Sequence, residues 1–256
     1  MTSPRWRQSR AAAAALGAGT VLLIVVCVEA LIRAGAINRF VVPLPSEILV
    51  AFPRIIAEEN VLHRFLQTAQ EVLWASVLLA VVGIPLAVLL YRMRLIRLAT
   101  ETWVAALAAA PIVLMYPLFL VIFGRTATTI VMIGFAAGLA PVILKSLEGL
   151  LATREVLLNV GRSFRLTPWQ QFSKILLPAA LPSVFIGLKL GLVFAMINIV
   201  GVEFLINFGG LGQLINELAE RYDLPGTYGA IFFVVLISVL FFVAMERLER
   251  WLRPAS

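Results

Sequence analysis

Six apolar stretches recur along this chain, at about residues 11–34, 66–90, 103–123, 128–144, 181–206 and 228–245. Each approaches the roughly 20 residues that a helix needs to cross a hydrocarbon core about 30 Å thick. Composition agrees: 61% of the residues are hydrophobic and 14% charged, where a water-soluble domain carries about a quarter charged. So few charges cannot cover a water-exposed surface. The chain therefore reads as an all-α integral membrane protein with six transmembrane helices.

Charge placement orients these spans. Arg5, Arg7 and Arg10 precede the first run, Arg92, Arg94 and Arg97 follow the second, and Arg247, Arg250 and Arg253 follow the last. Lys145, Arg154, Arg162, Arg165 and Lys174 lie between the fourth and fifth. The other side holds fewer basic residues and most of the acids, among them Glu47, Glu58, Glu59, Glu217, Glu220 and Asp223. Cytoplasmic loops concentrate Lys and Arg, so both termini, residues 1–10 and 248–256, are expected in the cytoplasm. The first run resembles a signal peptide in its basic start. It exceeds 20 residues without a small-residue cleavage site before Glu29, so a retained anchor is expected.

The same inventory excludes other classes. The net charge of +7 belongs to these loops, so nucleic acid is not an expected partner. A single cysteine, Cys27, and a single histidine, His63, leave no disulfide framework, no metal site and no catalytic cluster. No Gly-x-x-x-x-Gly-Lys-Ser/Thr phosphate-binding loop occurs, so the chain cannot harness ATP by itself.

The polar segment from Leu151 to Pro182 carries a helical pattern. Val156, Leu157, Val160 and Phe164 share one face. Thr167-Pro168-Trp169-Gln170 then reads as a new helix start, with Thr167 as cap, Pro168 in the first turn and Gln170 completing a capping box. Trp169 and Phe172, with Ile175 or Leu176, form the second apolar stripe, and Pro178 and Pro182 are expected to end that helix before span five. Such faces either lie on the protein's underside and in the lipid interface or dock into a cytoplasmic partner.

Residues 159–178 resemble the EAA loop of binding-protein-dependent ABC importer permeases, whose pattern is Glu-Ala-Ala, three residues, Gly, nine residues, Ile-x-Leu-Pro. Ile175-Leu176-Leu177-Pro178 matches its end. Asn159 stands for the Glu, Val160-Gly161 for Ala-Ala, and Arg165 for the Gly, which enters a left-handed turn more cheaply than Arg can. Further similarity, to the nitrate/sulfonate/taurine subfamily, lies in Val42-Pro43-Leu44-Pro45-Ser46, Gln67-Thr68, Gly83-Ile84-Pro85-Leu86 and Tyr116-Pro117-Leu118. It continues in Phe123-Gly124, Pro141-Val142-Ile143-Leu144 with Gly149, Gly187-Leu188-Lys189, Val202-Glu203-Phe204 and Gly210-Leu211-Gly212. Glu71 and Ala75 depart from that pattern, replacing Arg and Gly.

The resemblance implies a type I (MetI-like) permease fold over residues 62–247, preceded by the 11–34 anchor, in a bacterial cytoplasmic (inner) membrane. It implies a pathway-forming subunit that takes a small solute from an external binding protein and works as a dimer, expected to be a homodimer. A separate cytoplasmic ATPase dimer would supply ATP and Mg, with no cofactor in this chain. Segment 151–180 would couple the two, placing Asn159, Gly161, Arg165, Thr167, Pro168, Trp169, Phe172 and Pro178 at the ATPase. The outer loop from Asn207 to Thr227, with a short helix around Leu214–Ala219, would receive the binding protein.

Ionisable groups at bilayer depth are expensive and so are candidates for function. Glu29 and Arg33 are spaced as a structural i,i+4 pair. Glu71 is expected near the outer surface and hydrated. Lys189, roughly 12 Å into span five by helix rise, either snorkels to the cytoplasmic surface or lies against the coupling helices. Glu203, with Asn198 and Asn207 nearby, is a candidate for lining or gating the pathway, or else a polar anchor bonded to a neighbouring helix or the Gly209–Gly212 turn. An ion- or proton-coupled secondary transporter using Glu203 and Glu71 is the alternative reading.

Overall fold

The structure, a computed structural model, describes residues 5–252, and every regular element among them is helical. We number the helices α1 (Arg5–Arg33), α2 (Pro45–Glu58), α3 (Val61–Arg92), α4 (Arg94–Ala109), α5 (Ile112–Phe123, opening with a 3₁₀ turn), α6 (Ala127–Leu151), α7 (Glu155–Ser163), α8 (Pro168–Ile206), α9 (Gly210–Glu220) and α10 (Leu224–Leu252). Helices α1, α3, α6, α8 and α10 are each long and apolar enough to span a bilayer.

The third expected span, 103–123, is not one straight helix. Helices α4 and α5 meet at a bend of 91°. The cause is Pro111, which has no N–H to give and forces Ala110 into an extended conformation, at φ −74° and ψ 133°. Ala110 and Pro111 at the break are exposed in this single chain, while Ile112 just past it is buried. Broken backbone at membrane depth needs cover from protein or a water-filled cavity.

Helices α6 and α8 form the spine. They cross where glycines face glycines: a Cβ on Gly138 would sit 2.5 Å from the Gly191 carbonyl oxygen, and one on Gly191 2.9 Å from that of Gly138. Lipid tails are as apolar as Leu, so helices in a membrane gain little from hydrophobicity and associate by close packing at small residues. Around this crossing the core gathers Leu79 of α3, Ile130, Ile133 and Ala137 of α6, and Leu192, Ala195 and Ile199 of α8.

Helix α1 is peripheral, with most of its length exposed. It is tied at its outer end, where Glu29 bonds Arg33 at 2.6 Å and accepts the Ser46 N–H at the start of α2 at 3.2 Å. The i,i+4 pair is thus a structural staple. Helix α9 extends the expected 214–219 helix to Gly210–Glu220, with Leu211, Leu214 and Leu218 in the core. Ion pairs close this end of the bundle: Arg64 with Glu217 at 2.7 Å, Arg221 with Glu59 at 2.7 Å, Arg54 with Asp223 and Arg39 with Glu47. The Arg39 guanidinium holds the Glu47 carboxyl below the usual carboxylate range.

Gly138→Ala should therefore cost about 1–3 kcal/mol, because its Cβ meets backbone that cannot rotate away. Gly17→Ala, with nothing within 4 Å, should leave the unfolding midpoint in detergent unchanged.

Candidate functional site

Two constellations answer to the residues singled out from the sequence, one at each end of α8. At the N-terminal end of α8, α7 closes in a Schellman motif, with Arg165 N–H donating to the Arg162 carbonyl at 2.9 Å and Leu166 N–H to that of Gly161 at 3.0 Å. The residue in the left-handed position is Arg165, at φ 52°. Arg thus takes the conformation that the family pattern gives to Gly, at a cost of roughly 1 kcal/mol.

The expected capping box then starts α8. Gln170 N–H donates to Thr167 Oγ1 at 3.3 Å, and Thr167 N–H to Gln170 Oε1 at 2.9 Å, with Pro168 in the first turn. From here the chain departs from expectation. Pro178 and Pro182 do not end the helix, which runs for 39 residues from Pro168 to Ile206. A π turn over Phe172–Leu176 widens the backbone just before Pro178. We attribute the continuity to that turn, since proline removes one hydrogen bond and crowds the carbonyl four residues back.

Helix α7 is held to this rod from beneath. Gln171 Nε2 donates to the Leu158 carbonyl at 3.0 Å. Gly161 is buried against Ile175, which would lie 2.6 Å from a Cβ there. The Arg92 guanidinium at the end of α3 stacks 5.6 Å from the Phe172 ring centre. Pro178 is inside the rod, while Asn159 is exposed and accepts from Arg162 at 3.1 Å. Among arginines and other polar groups, a set of large apolar side chains also remains outside: Val156, Leu157, Val160, Phe164 and Trp169 are all exposed, Trp169 to 67%.

At the C-terminal end of α8, Glu203 is completely buried. Thr68 Oγ1 donates to its Oε1 at 2.7 Å and Gly212 N–H to its Oε2 at 2.8 Å. The anchor reading thus has both of its named partners, a neighbouring helix and the glycine turn. Gly210 is needed here: its φ is 76° and a Cβ would fall 2.1 Å from Glu203 Oε1. Gln67 joins the turn, accepting from Gly210 N–H at 3.2 Å.

Asn198 and Asn207 do not join Glu203 in one pocket-lining set. Asn198 Nδ2 donates to the Phe194 carbonyl of its own helix at 2.8 Å. Asn207 caps α8 at φ 54° and its carbonyl accepts from Arg125. Two further expectations are corrected. Glu71 is not hydrated but buried, 3% exposed and against Glu203. Lys189 does not lie against the coupling helices. It pairs with Glu249 near the end of α10 and lies 5.8 Å from the Phe242 ring centre. Glu71 as Glu203's neighbour and Arg92 as a brace had no local signal, because both contacts join residues distant in sequence.

The class of protein that carries this glycine-seamed bundle of membrane helices, with a helix–turn–helix at one end, follows from its family. Residues 79–255 match the family described as "Binding-protein-dependent transport system inner membrane component", and the chain belongs to that family. It is 26% identical over 212 residues to the formylaminopyrimidine transport permease protein ThiX of Halalkalibacterium halodurans, covering 82% of this chain and 85% of that protein. It is 23% identical to the taurine transport system permease protein TauC of Escherichia coli, over 98% of this chain and 92% of that one. The fold matches a chain of the inward-facing MetNI methionine ABC transporter at a TM-score of 0.63 and 23% identity, covering 74% of this chain and 94% of that one. The chain is therefore an ABC importer permease subunit for small solutes, not an enzyme, of a family that works with a separate ATPase and a binding protein. That membership replaces the secondary-transporter reading.

Arg165→Gly should raise the unfolding midpoint by the equivalent of about 1 kcal/mol, since glycine enters the left-handed region without a Cβ clash. Thr167→Ala should lower it by a similar amount through loss of the cap.

Proposed function

We propose that this chain forms, as a homodimer, the pathway through which an external binding protein delivers a small solute of the sulfonate, nitrate, taurine or vitamin-precursor class. A cytoplasmic ATPase dimer binding ATP and Mg drives it. The cargo class is supported by the formylaminopyrimidine and taurine named for two relatives. We place both termini in the cytoplasm and the protein in the bacterial cytoplasmic membrane, on the basis of the basic loops.

The observation that carries the coupling role is the apolar surface of α7 and the start of α8. Val156, Leu157, Val160, Phe164 and Trp169 point away from the bundle on a short segment rich in arginine. An amphipathic helix whose apolar face is unburied needs a partner for it. In the proposed complex that partner is a groove of the ATPase. Asn159, Arg165 and Trp169 contact it, while Gly161, Thr167, Pro168, Phe172 and Pro178 shape the segment that makes the contact. Because Trp169 lies on the helix that becomes span five, a push on it moves the span without a joint between them.

The second copy packs against the free face of α8, where Ile186, Leu190, Val193 and Ile197 are exposed. Glu203 and Asn207 serve the outer gate by holding the α8–α9 turn, and Asn198 lies on the pathway side of the same helix. Alternation between the two openings needs a difference in ATPase contact between two states, not merely tight binding.

Trp169→Ser should abolish stimulation of ATP hydrolysis by the loaded binding protein in lipid, at unchanged expression and unfolding midpoint. Stimulation at the wild-type level would contradict the docking role.

A further inference from the structure

The hydrogen bonds around Glu203 have a fixed direction. The Thr68 hydroxyl accepts the Leu211 N–H at 2.9 Å, so its own single proton is free to point at Glu203 Oε1, 2.7 Å away. Gly212 N–H donates to Oε2 at 2.8 Å. Both Glu203 oxygens therefore act as acceptors, and neither is left needing a proton of its own.

Glu71 stands in the opposite position. It lies on α3 one turn beyond Thr68, with its carboxyl within hydrogen-bonding reach of Glu203. It is 3% exposed. The Gln67 amide one turn back on α3 is its other polar neighbour, but Gln67 Nε2 donates to the Phe208 carbonyl at 3.3 Å. Neither Glu71 oxygen has a hydrogen-bond partner of normal geometry among the described residues. No Lys, Arg or His among the described residues pairs with either carboxyl. The nearby cations are engaged elsewhere: Arg64 with Glu217, and Arg125 with the Asn207 carbonyl. Ionised carboxylates only accept, so two in contact and away from water have nothing to hold them together and a like charge to drive them apart. A neutral carboxylic acid is a donor.

We propose that Glu71 and Glu203 form a proton-binding site, in which a protonated Glu71 donates to the Glu203 carboxylate and so ties α3, α8 and the glycine turn before α9 into one junction. The bond joins the three elements that close the outer end of the bundle. The site holds one proton and one negative charge, and that charge is answered by the Thr68 hydroxyl and the Gly212 amide.

The test is infrared spectroscopy of the full-length chain in an ester-free detergent at neutral pH, where lipid carbonyls do not overlap. The wild type should show a carboxylic-acid C=O stretch that shifts in D₂O and is lost in Glu71→Gln. That variant keeps a donor in place and should retain the wild-type unfolding midpoint, whereas Glu71→Ala should lower it. Should Glu71→Gln fail to fold, Glu71→Arg, which replaces the acid–carboxylate bond by an ion pair, should be folded and lack the acid band. A folded wild type showing only ionised carboxylates, or an acid band that survives removal of Glu71, would overturn the proposal. The measurement needs neither ATPase nor cargo, so its outcome is separate from that of the transport reading.

Discussion

Two helix backbones come into direct contact where Gly138 of α6 meets Gly191 of α8, and the rest of the bundle is arranged around that approach. In water, burial of apolar side chains would dominate the packing. In a bilayer that drive is largely absent, and dispersion between closely fitted backbones replaces it. The sequence places glycine or alanine along the seam, at Gly134, Gly138, Gly149, Gly187, Gly191 and Ala195, and their missing side chains set how near the two helices lie. Helix α3 packs into the same crossing through Leu79, which approaches both Gly138 and Gly191. Spans two, four and five are thus one packed unit, and α1 and α4 hang at its edge.

Helix α8 gives that unit reach. At 39 residues it is about 58 Å long by helix rise, more than a bilayer's thickness, so part of it must lie beyond the hydrocarbon core. The capping box at Thr167 starts it, the π turn carries it past Pro178, and Asn207 ends it. One end leaves Trp169 exposed and the other holds Glu203 at the buried junction with α3 and α9. Helix α7 rides on the N-terminal end through Gly161 and Gln171. In the proposed mechanism this continuity turns an event at the ATPase into motion of the pathway.

Much of this was legible in the residues, for reasons that can be named. Bilayer-length apolar runs located the spans because the length of a spanning helix is set by the membrane. The capping box at Thr167 was legible because its partners are three residues apart. Long-range pairs were not: nothing near Glu71 says that Glu203 faces it, and the assumption of hydration followed from its place near a helix start. Lys189 found Glu249, sixty positions away. The prolines misled in both directions. Pro178 and Pro182 were read as breaks and are spanned by helix, while Pro111 was passed over inside an apolar run and bends the chain by 91°. What a proline does depends on whether the turn before it can widen, and tertiary packing decides that.

The central claim is that α7 and α8 move as one body with span five. It is tested most directly by spin labels at Ser163 and Leu205, both exposed, in a chain whose exposed Cys27 is replaced by serine. Labelled chains are diluted with unlabelled ones in the reconstituted complex, and the distance within one chain is measured without nucleotide and with a trapped ATP analogue. Our account predicts the same narrow distance distribution in both states, while the Leu205-to-Leu205 distance between two labelled copies changes. A within-chain distance that changes on trapping would mean that the helix hinges at the π turn, and would contradict the rigid connection.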